Sequence, residues 1–227
     1  MKPYYQHAGI TIYHGDCREI MPTLREDQQP DLVITDPPYG MSFQSNHRAE
    51  KHDPIVGDGA LDVGMVHRVI SHASVAAYVF CRWDNLRDMP PPKSVLVWVK
   101  NNWSMGDLQH EHGRQWEAIC FYPGPMHAFR ERIPDVLYGD RTGNELHPTQ
   151  KPTSILKRLI RATVACSVLD PYAGSGSTLI AAKAAGIAAI GIEIEERYCE
   201  TAAKRLSQEV LPFNAPAIEA PEQLVLE

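Results

Sequence analysis

The sequence predicts an α/β domain built on a mostly parallel sheet, and three observations carry that reading. Short β-rich runs alternate with helical patterns along most of the chain. Two of those runs, Leu32–Thr35 and Ser167–Leu169, each lead into a loop rich in Pro or Gly that opens with an aspartate, Asp36 and Asp170. The second loop runs directly into an alanine-rich helical pattern, the strand–loop–helix order in which parallel sheets hold ligands.

Seven strands are expected, near Ile10–Tyr13, Leu32–Thr35, Val75–Phe80, Val95–Val99, Ala118–Tyr122, Val168–Leu169 and Ala188–Ile192. Between them the pattern predicts helices near Cys17–Arg25, Val63–Ala73, Thr153–Val164, Ser177–Ala185 and Glu195–Glu209. Ile155, Leu156, Leu159 and Ile160 form an apolar stripe behind Pro152, a residue suited to a first helical turn. Gly186 stands where the alanine-rich helix needs a C-terminal cap. Gly40–Gly59 and Pro123–Pro148 show no period and read as long loops, while Pro212–Glu227, with three prolines and an acidic bias, reads as a flexible tail. The chain is thus expected to form one domain over 1–211, followed by a tail over 212–227.

At 227 residues, with 22% charged and 44% hydrophobic residues, the chain can bury a full core. No apolar run reaches the ~20 residues of a membrane span, and the opening MKPYYQHAGI carries no signal core, so no membrane partner and a cytoplasmic location, bacterial or phage-encoded, are expected. Cys17, Cys81, Cys120, Cys166 and Cys199 lie far apart, which suits reduced thiols, and no metal is expected. His110 and His112 lack a completing ligand set and read as solvated loop residues. A net charge of −6 opposes nucleic-acid binding, yet from Arg82 to Arg161 twelve Lys/Arg stand against nine Asp/Glu. That excess fits a basic groove and ordinary solvated faces equally well.

Two loops carry chemistry. In Asp36-Pro37-Pro38-Tyr39-Gly40 the paired prolines fix the backbone path out of the strand. Such a loop can hold a carboxylate and a neighbouring carbonyl around one small donor, such as an amino group. Tyr39 adds a flat face on which a base can stack, worth about 1–3 kcal/mol. Taken alone, the segment reads equally as a tight surface turn. In Asp170-Pro171-Tyr172-Ala173-Gly174-Ser175-Gly176-Ser177-Thr178, small residues admit a ligand close to the backbone, ahead of a helix N-terminus. The loop lacks the Lys of a phosphate-binding P-loop and the third Gly of a dinucleotide fingerprint. Glu193, about 20 residues past the glycines, stands where a ribose-binding carboxylate usually lies.

These residues resemble the amino-methylating DNA methyltransferases, in which D/N/S-PP-Y/F/W is the catalytic loop and D-P-F-A-G-S-G the cofactor loop. The match extends to His147-Pro148-Thr149-Gln150-Lys151-Pro152 and to Ile12-Tyr13-His14-Gly15-Asp16-Cys17, and covers roughly 10–41, 75–122 and 144–206. The resemblance implies a Rossmann-like, S-adenosylmethionine-dependent methyltransferase fold with a mostly parallel seven-stranded sheet. Because Asp36 precedes Asp170, it implies the circularly permuted β class, with the two loops adjacent in space although 134 positions apart. It places Asp36, Pro37, Pro38 and Tyr39 at a target base that has rotated out of double-stranded DNA. It places Asp170, Tyr172, Ala173, Gly174, Ser175, Gly176 and Thr178 around the methionine part of the cofactor. Glu193 falls at the ribose, Asp16 and Cys17 at the adenine, and Thr149 and Lys151 at the cofactor carboxylate or the substrate.

Asp rather than Ser at position 36 favours adenine over cytosine as the target, with a cytosine-amino enzyme or a non-catalytic DNA-binding module as alternatives. Tyr172 departs from the commoner Phe but keeps the ring. The target-recognition insertion, about 123–146, is short, and Arg130, Arg132 and Arg141 are its candidates for phosphate or guanine contacts, against solvated loop charges. The resemblance also allows a homodimer.

Overall fold

All seven expected strands form. The computed structural model describes residues 2–25, 28–38, 61–104, 109, 110, 112–142 and 150–208. In chain order the elements are β1 (Tyr5–His7), β2 (Ile10–His14), α1 (Cys17–Ile20), β3 (Leu32–Thr35), α2 (Val63–Ser71), β4 (Ala76–Cys81), β5 (Ser94–Ser104) and β6 (Arg114–Pro123). They continue with β7 (Val136–Tyr138), α3 (Thr153–Ala162), β8 (Ser167–Asp170), α4 (Ser177–Ala185), β9 (Ala188–Glu193) and α5 (Glu196–Ser207).

The strands join in one sheet of order β1-β2-β9-β8-β3-β4-β6-β5-β7. From β2 to β4 all neighbours are parallel, and β6 then runs antiparallel to both β4 and β5. Among the described residues the sheet therefore has nine strands rather than seven, because a three-residue strand is added at each edge. β1 folds back on β2 through Ala8 and Gly9, both at positive φ (47° and 78°), a two-residue hairpin geometry that Ala-Gly does not announce in sequence. β7 lies in the segment read as a loop and pairs with Val97–Val99 of β5.

The central strands β3 and β4 bury both faces. Along β3, Leu32 and Ile34 pack with Ile155, Leu159, Leu179 and Ala202 of α3, α4 and α5, while Val33 packs with Cys17, Met65 and Val69 of α1 and α2. A two-sided strand must read as a continuous apolar run, which is why LVIT shows no alternation. Each fully buried aliphatic side chain contributes about 1.5–3 kcal/mol. α1 ends at Ile20 and gives way to a 3-10 turn over Met21–Thr23, short of the expected Arg25, because Pro22 cannot donate to a continuing helix. α4 matches its expected span, bounded by left-handed Gly176 and Gly186.

From β3 the chain crosses through α2 to β4, whereas from β8 it crosses through α4 to β9 on the other side. The carboxyl ends of β3 and β8 thus sit side by side where the connections diverge, leaving a crevice above them. The Gly40–Gly59 segment and the tail over 212–227 lie outside the described residues. Among the described residues no helix is long and apolar enough to cross a membrane.

Candidate active site

Asp36 and Asp170 each follow a buried strand, and β3 pairs with β8 through Leu32–Val168 and Val33–Leu169. The two loops are tied directly. Thr35 Oγ1 donates to Asp170 Oδ1 at 3.1 Å, and the Tyr172 amide donates to the same oxygen at 3.2 Å. Burial pushes the Asp170 carboxyl up to about 6, against hydrogen bonds from Thr178, Tyr172 and Thr35 that favour the anion; the nearby Asp36 charge raises it further. A native value above the unfolded 3.8 means that the folded state holds the extra proton between about pH 4 and 6. Stability is therefore lost as pH rises through that window, and the cost, about 3 kcal/mol at most, is fully present above it. Asp170→Asn keeps an acceptor for Thr35 and is expected to melt higher than the wild type at pH 8, with the difference vanishing near pH 4. Calorimetric melts of the two proteins that shift in parallel with pH would contradict this.

The cofactor-loop residues converge as a cradle. Gly174 and Gly176 adopt φ of 51° and 80°, and a Cβ on Gly176 would stand 2.8 Å from that of Ala202. Glu193 is buried at the end of β9 and accepts the amides of Gly174 and Glu195, each at 2.8 Å. Burial pushes its carboxyl up, opposed by those two bonds, and each oxygen retains capacity for a further donor. The Ala173 amide donates to Ile192, and the Gly176 amide to Ala173, closing the turn ahead of α4. At the start of that helix Ser177 Oγ is buried with no hydrogen-bond partner among the described residues, an unmet group within the loop.

Pairing of β2 with β9 brings Asp16 and Cys17 to the same end of the sheet, where the Gly15 amide donates to Glu193 O at 2.9 Å. Asp16 caps α1 through the Arg18 amide at 2.8 Å, and the Arg18 guanidinium holds its carboxyl below the usual range. Cys17 is buried beside Tyr172, and burial pushes both groups up. A small apolar recess lined by Thr35, Pro37, Val66, Val69, Val79 and Tyr172 adjoins the two loops.

Lys151, expected at the cofactor carboxylate or the substrate, is ion-paired with Asp36. Its Nζ contacts Asp36 Oδ2 and lies 3.3 Å from Glu117 Oε2 and 5.3 Å from the centre of the Phe80 ring. Burial alone would push this ammonium down, but Asp36 and Glu117 outweigh it and hold it above the ordinary lysine value. An enclosed cation must be paired, and here two carboxylates pair it. Glu117 in turn takes Lys100 Nζ at 2.5 Å. The two lysines keep its carboxyl low despite burial.

Sequence reasoning missed Glu117, Lys100 and also Arg205, whose guanidinium donates to Ser175 O and Oγ across 30 positions and so pins the cofactor loop. Arg130 and Arg132, candidates for phosphate or guanine contacts, are not brought to the crevice. The Arg130 amide bonds to Ala162 O and Phe129 bridges Thr163, which anchors this segment near the amino end of β8, away from Asp36. Arg141, whose amide reaches Asn101 Oδ1, remains at the carboxyl end beyond β7. Tyr39, His147, Pro148 and Thr149 lie outside the described residues. Among the described residues no cluster of three His, Cys, Asp or Glu is placed to hold a metal ion.

Residues 83–204 match a family model described as DNA methylase. The chain is 46% identical over 260 residues to the type II methyltransferase M2.DpnII of Streptococcus pneumoniae, covering 92% of this chain and 93% of that one. It is 26% identical over 250 residues to the DNA adenine methyltransferase YhdJ of Escherichia coli (strain K12), covering 89% and 84%. Among solved structures, the M1.HpyAVI–SAM complex superposes with a TM-score of 0.67 at 22% identity, over 88% of this chain and 100% of that one, a likeness of fold.

Proposed function

The chain belongs to the DNA methylase family, as an S-adenosylmethionine-dependent amino-methyltransferase, and from that premise we propose that it methylates the exocyclic amino group of adenine in double-stranded DNA, with Asp36 at the reacting nitrogen. The observation that carries this reading is the meeting of the two loops at neighbouring strand ends, tied by the Thr35–Asp170 hydrogen bond. The chain order, Asp36 before Asp170, supports assignment to the permuted β class.

The cradle fits the cofactor. Left-handed glycines open the backbone, the N-terminus of α4 faces the loop, Ser177 Oγ lacks a partner among the described residues, and buried acids stand at the ends of β8 and β9. In this reading the Asp170–Thr178 loop holds the methionine part, Glu193 the ribose, and Asp16 and Cys17 the adenine. S-adenosylmethionine, when bound there, supplies a methyl group on a sulfonium for direct in-line displacement.

The residues of the chain do the rest. An aromatic amine is a poor nucleophile because its lone pair is delocalised into the ring. The Asp36 carboxylate and the Pro37 carbonyl accept its two hydrogens and draw the lone pair out of conjugation, toward the donor. The proline-stiffened backbone fixes both acceptors before the base arrives, so no reorganisation is needed at the moment of reaction. Tyr39 stacks on the base and offsets part of the few kcal/mol that rotation out of the duplex costs. Lys151 pairs with the Asp36 carboxylate and orients it. Asp rather than Ser at 36, and the similarity to an adenine enzyme, support adenine as the target.

The test is transfer of tritium from methyl-labelled S-adenosylmethionine to duplex DNA, followed by digestion to nucleosides. Label is expected in N6-methyldeoxyadenosine. Label in N4-methyldeoxycytidine would overturn the choice of base, and unlabelled DNA would overturn the reading as a whole.

A further inference from the structure

Behind Asp36 lies a chain of four alternating charges, Asp36–Lys151–Glu117–Lys100, drawn from the loop after β3, the residue before Pro152, β6 and β5. Both lysines also lie near aromatic rings, Lys151 over Phe80 and Lys100 over Trp98 at 4.9 Å. The side chains of Asp36, Lys151, Glu117 and Lys100 are 14, 8, 19 and 11% exposed, so water screens them little. Burying four charges is costly, and a buried ion pair seldom stabilises a fold more than apolar residues of the same volume. Stability alone therefore gives no reason for the array.

Its geometry does. Lysine has a flexible four-carbon stem and three donors, and a lone carboxylate partner would not fix where its ammonium sits. Glu117 stands on a rigid strand, in register with Trp98, and is itself held by Lys100. It gives Lys151 Nζ a second carboxylate neighbour 3.3 Å away, an ion pair rather than a hydrogen bond.

We propose that Glu117 is a positioning residue for methyl transfer, which, braced by Lys100, fixes the Lys151 ammonium and through it the direction of the Asp36 carboxylate. The inference rests on Asp36 being the acceptor of the amino group. Other titratable groups around the array are Arg141 on the Lys100 side, the Cys81 thiol beneath Asp36 and Glu117, and Asp170 beside Asp36.

The two members farthest from the acceptor, Glu117 and Lys100, give opposite signatures, which a purely structural role would not. Glu117→Gln removes an anion, so Lys151 loses its proton more readily and Asp36 ionises more readily, and both limbs of the pH–rate profile move to lower pH. Lys100→Gln removes a cation that touches Glu117 and not the acceptor, and both limbs move to higher pH. In Glu117→Gln, kcat falls roughly ten- to a hundredfold from misplacement of the acceptor, while KM for DNA and binding of S-adenosylmethionine stay near wild type.

Methyl transfer by the wild type, Glu117→Gln, Lys100→Gln and Asp36→Ala, measured from pH 5 to 10 and alongside thermal melts, decides the matter. Opposite displacements of the two profiles support the proposal. Unshifted profiles overturn it, whether kcat is retained or lost. If Glu117→Gln does not fold, the direction of the Lys100→Gln shift decides alone. Failure of the underlying reading looks different, since either the wild type leaves DNA unmethylated or Asp36→Ala remains active.

Discussion

Asp36→Ala is expected to abolish methyl transfer to DNA while binding S-adenosylmethionine almost as well as the wild type. The carboxylate lies on the β3 side of the crevice, whereas the cradle is built by β8, β9 and α4 and keeps its own hydrogen bonds: Thr35 to Asp170, Gly174 to Glu193, and Arg205 to Ser175. Removing one preorganised group aimed at the charge that develops in a transition state costs about 10²–10³ in rate, and in the proposed mechanism the same group also orients the nucleophile. Folding should suffer less, because Lys151 retains Glu117 as a partner. Calorimetric titration with the cofactor beside a tritium-transfer assay separates the two outcomes. An alanine variant that still methylates DNA at the wild-type rate would remove Asp36 from the mechanism.

Lys151→Met is expected to lower both stability and activity, by a different route. Its ammonium is buried between Asp36 and Glu117, so its loss leaves two carboxylates facing each other with Lys100 as the remaining ammonium. Breaking a buried pair by removing one partner costs about 3–5 kcal/mol. For a domain of this size that lowers Tm by roughly 10 °C. Two carboxylates that share a site resist ionising together, so the acid limb of the rate profile should move to higher pH. Lys151→Arg restores the charge but not the shape of a compact ammonium, and should recover stability more than rate. Wild-type melting and an unmoved acid limb in Lys151→Met would show that the contact has no role.

The parts of this structure that sequence exposes are those governed by local rules. α4 could be placed to the residue because Gly176 and Gly186 are needed at positive φ on either side. β3 and β4 are legible because both of their faces are buried, which forces continuous apolar runs. β1 escapes because Tyr5–His7 is polar and largely exposed, so nothing in its composition marks a strand.

The cradle residues could be named from spacing and resemblance, and they do converge at one end of the sheet. Lys100 and Glu117 could not, since a charged residue on a strand does not announce which partner it meets. Both stand on the face that carries Leu96, Trp98 and Ile119, and the link to Lys151 follows from the fold alone. Lys151 was legible as important but not in its direction, because its position fixes where a long side chain begins and not where it ends. The place of Arg130 and Arg132 was hidden for a related reason. Their loop is basic, but β6 runs antiparallel to β4 and delivers it to the opposite end of the sheet.

The two three-residue edge strands have a consequence for how the protein behaves when concentrated. A sheet margin recruits foreign strands through its row of unsatisfied amides and carbonyls, and the hazard grows with the length and flatness of that row. Here each outermost strand offers only a stub, Tyr5–His7 on one flank and Val136–Tyr138 on the other. An incoming chain could form at most a few ladder bonds there, so these flanks give little purchase for runaway aggregation.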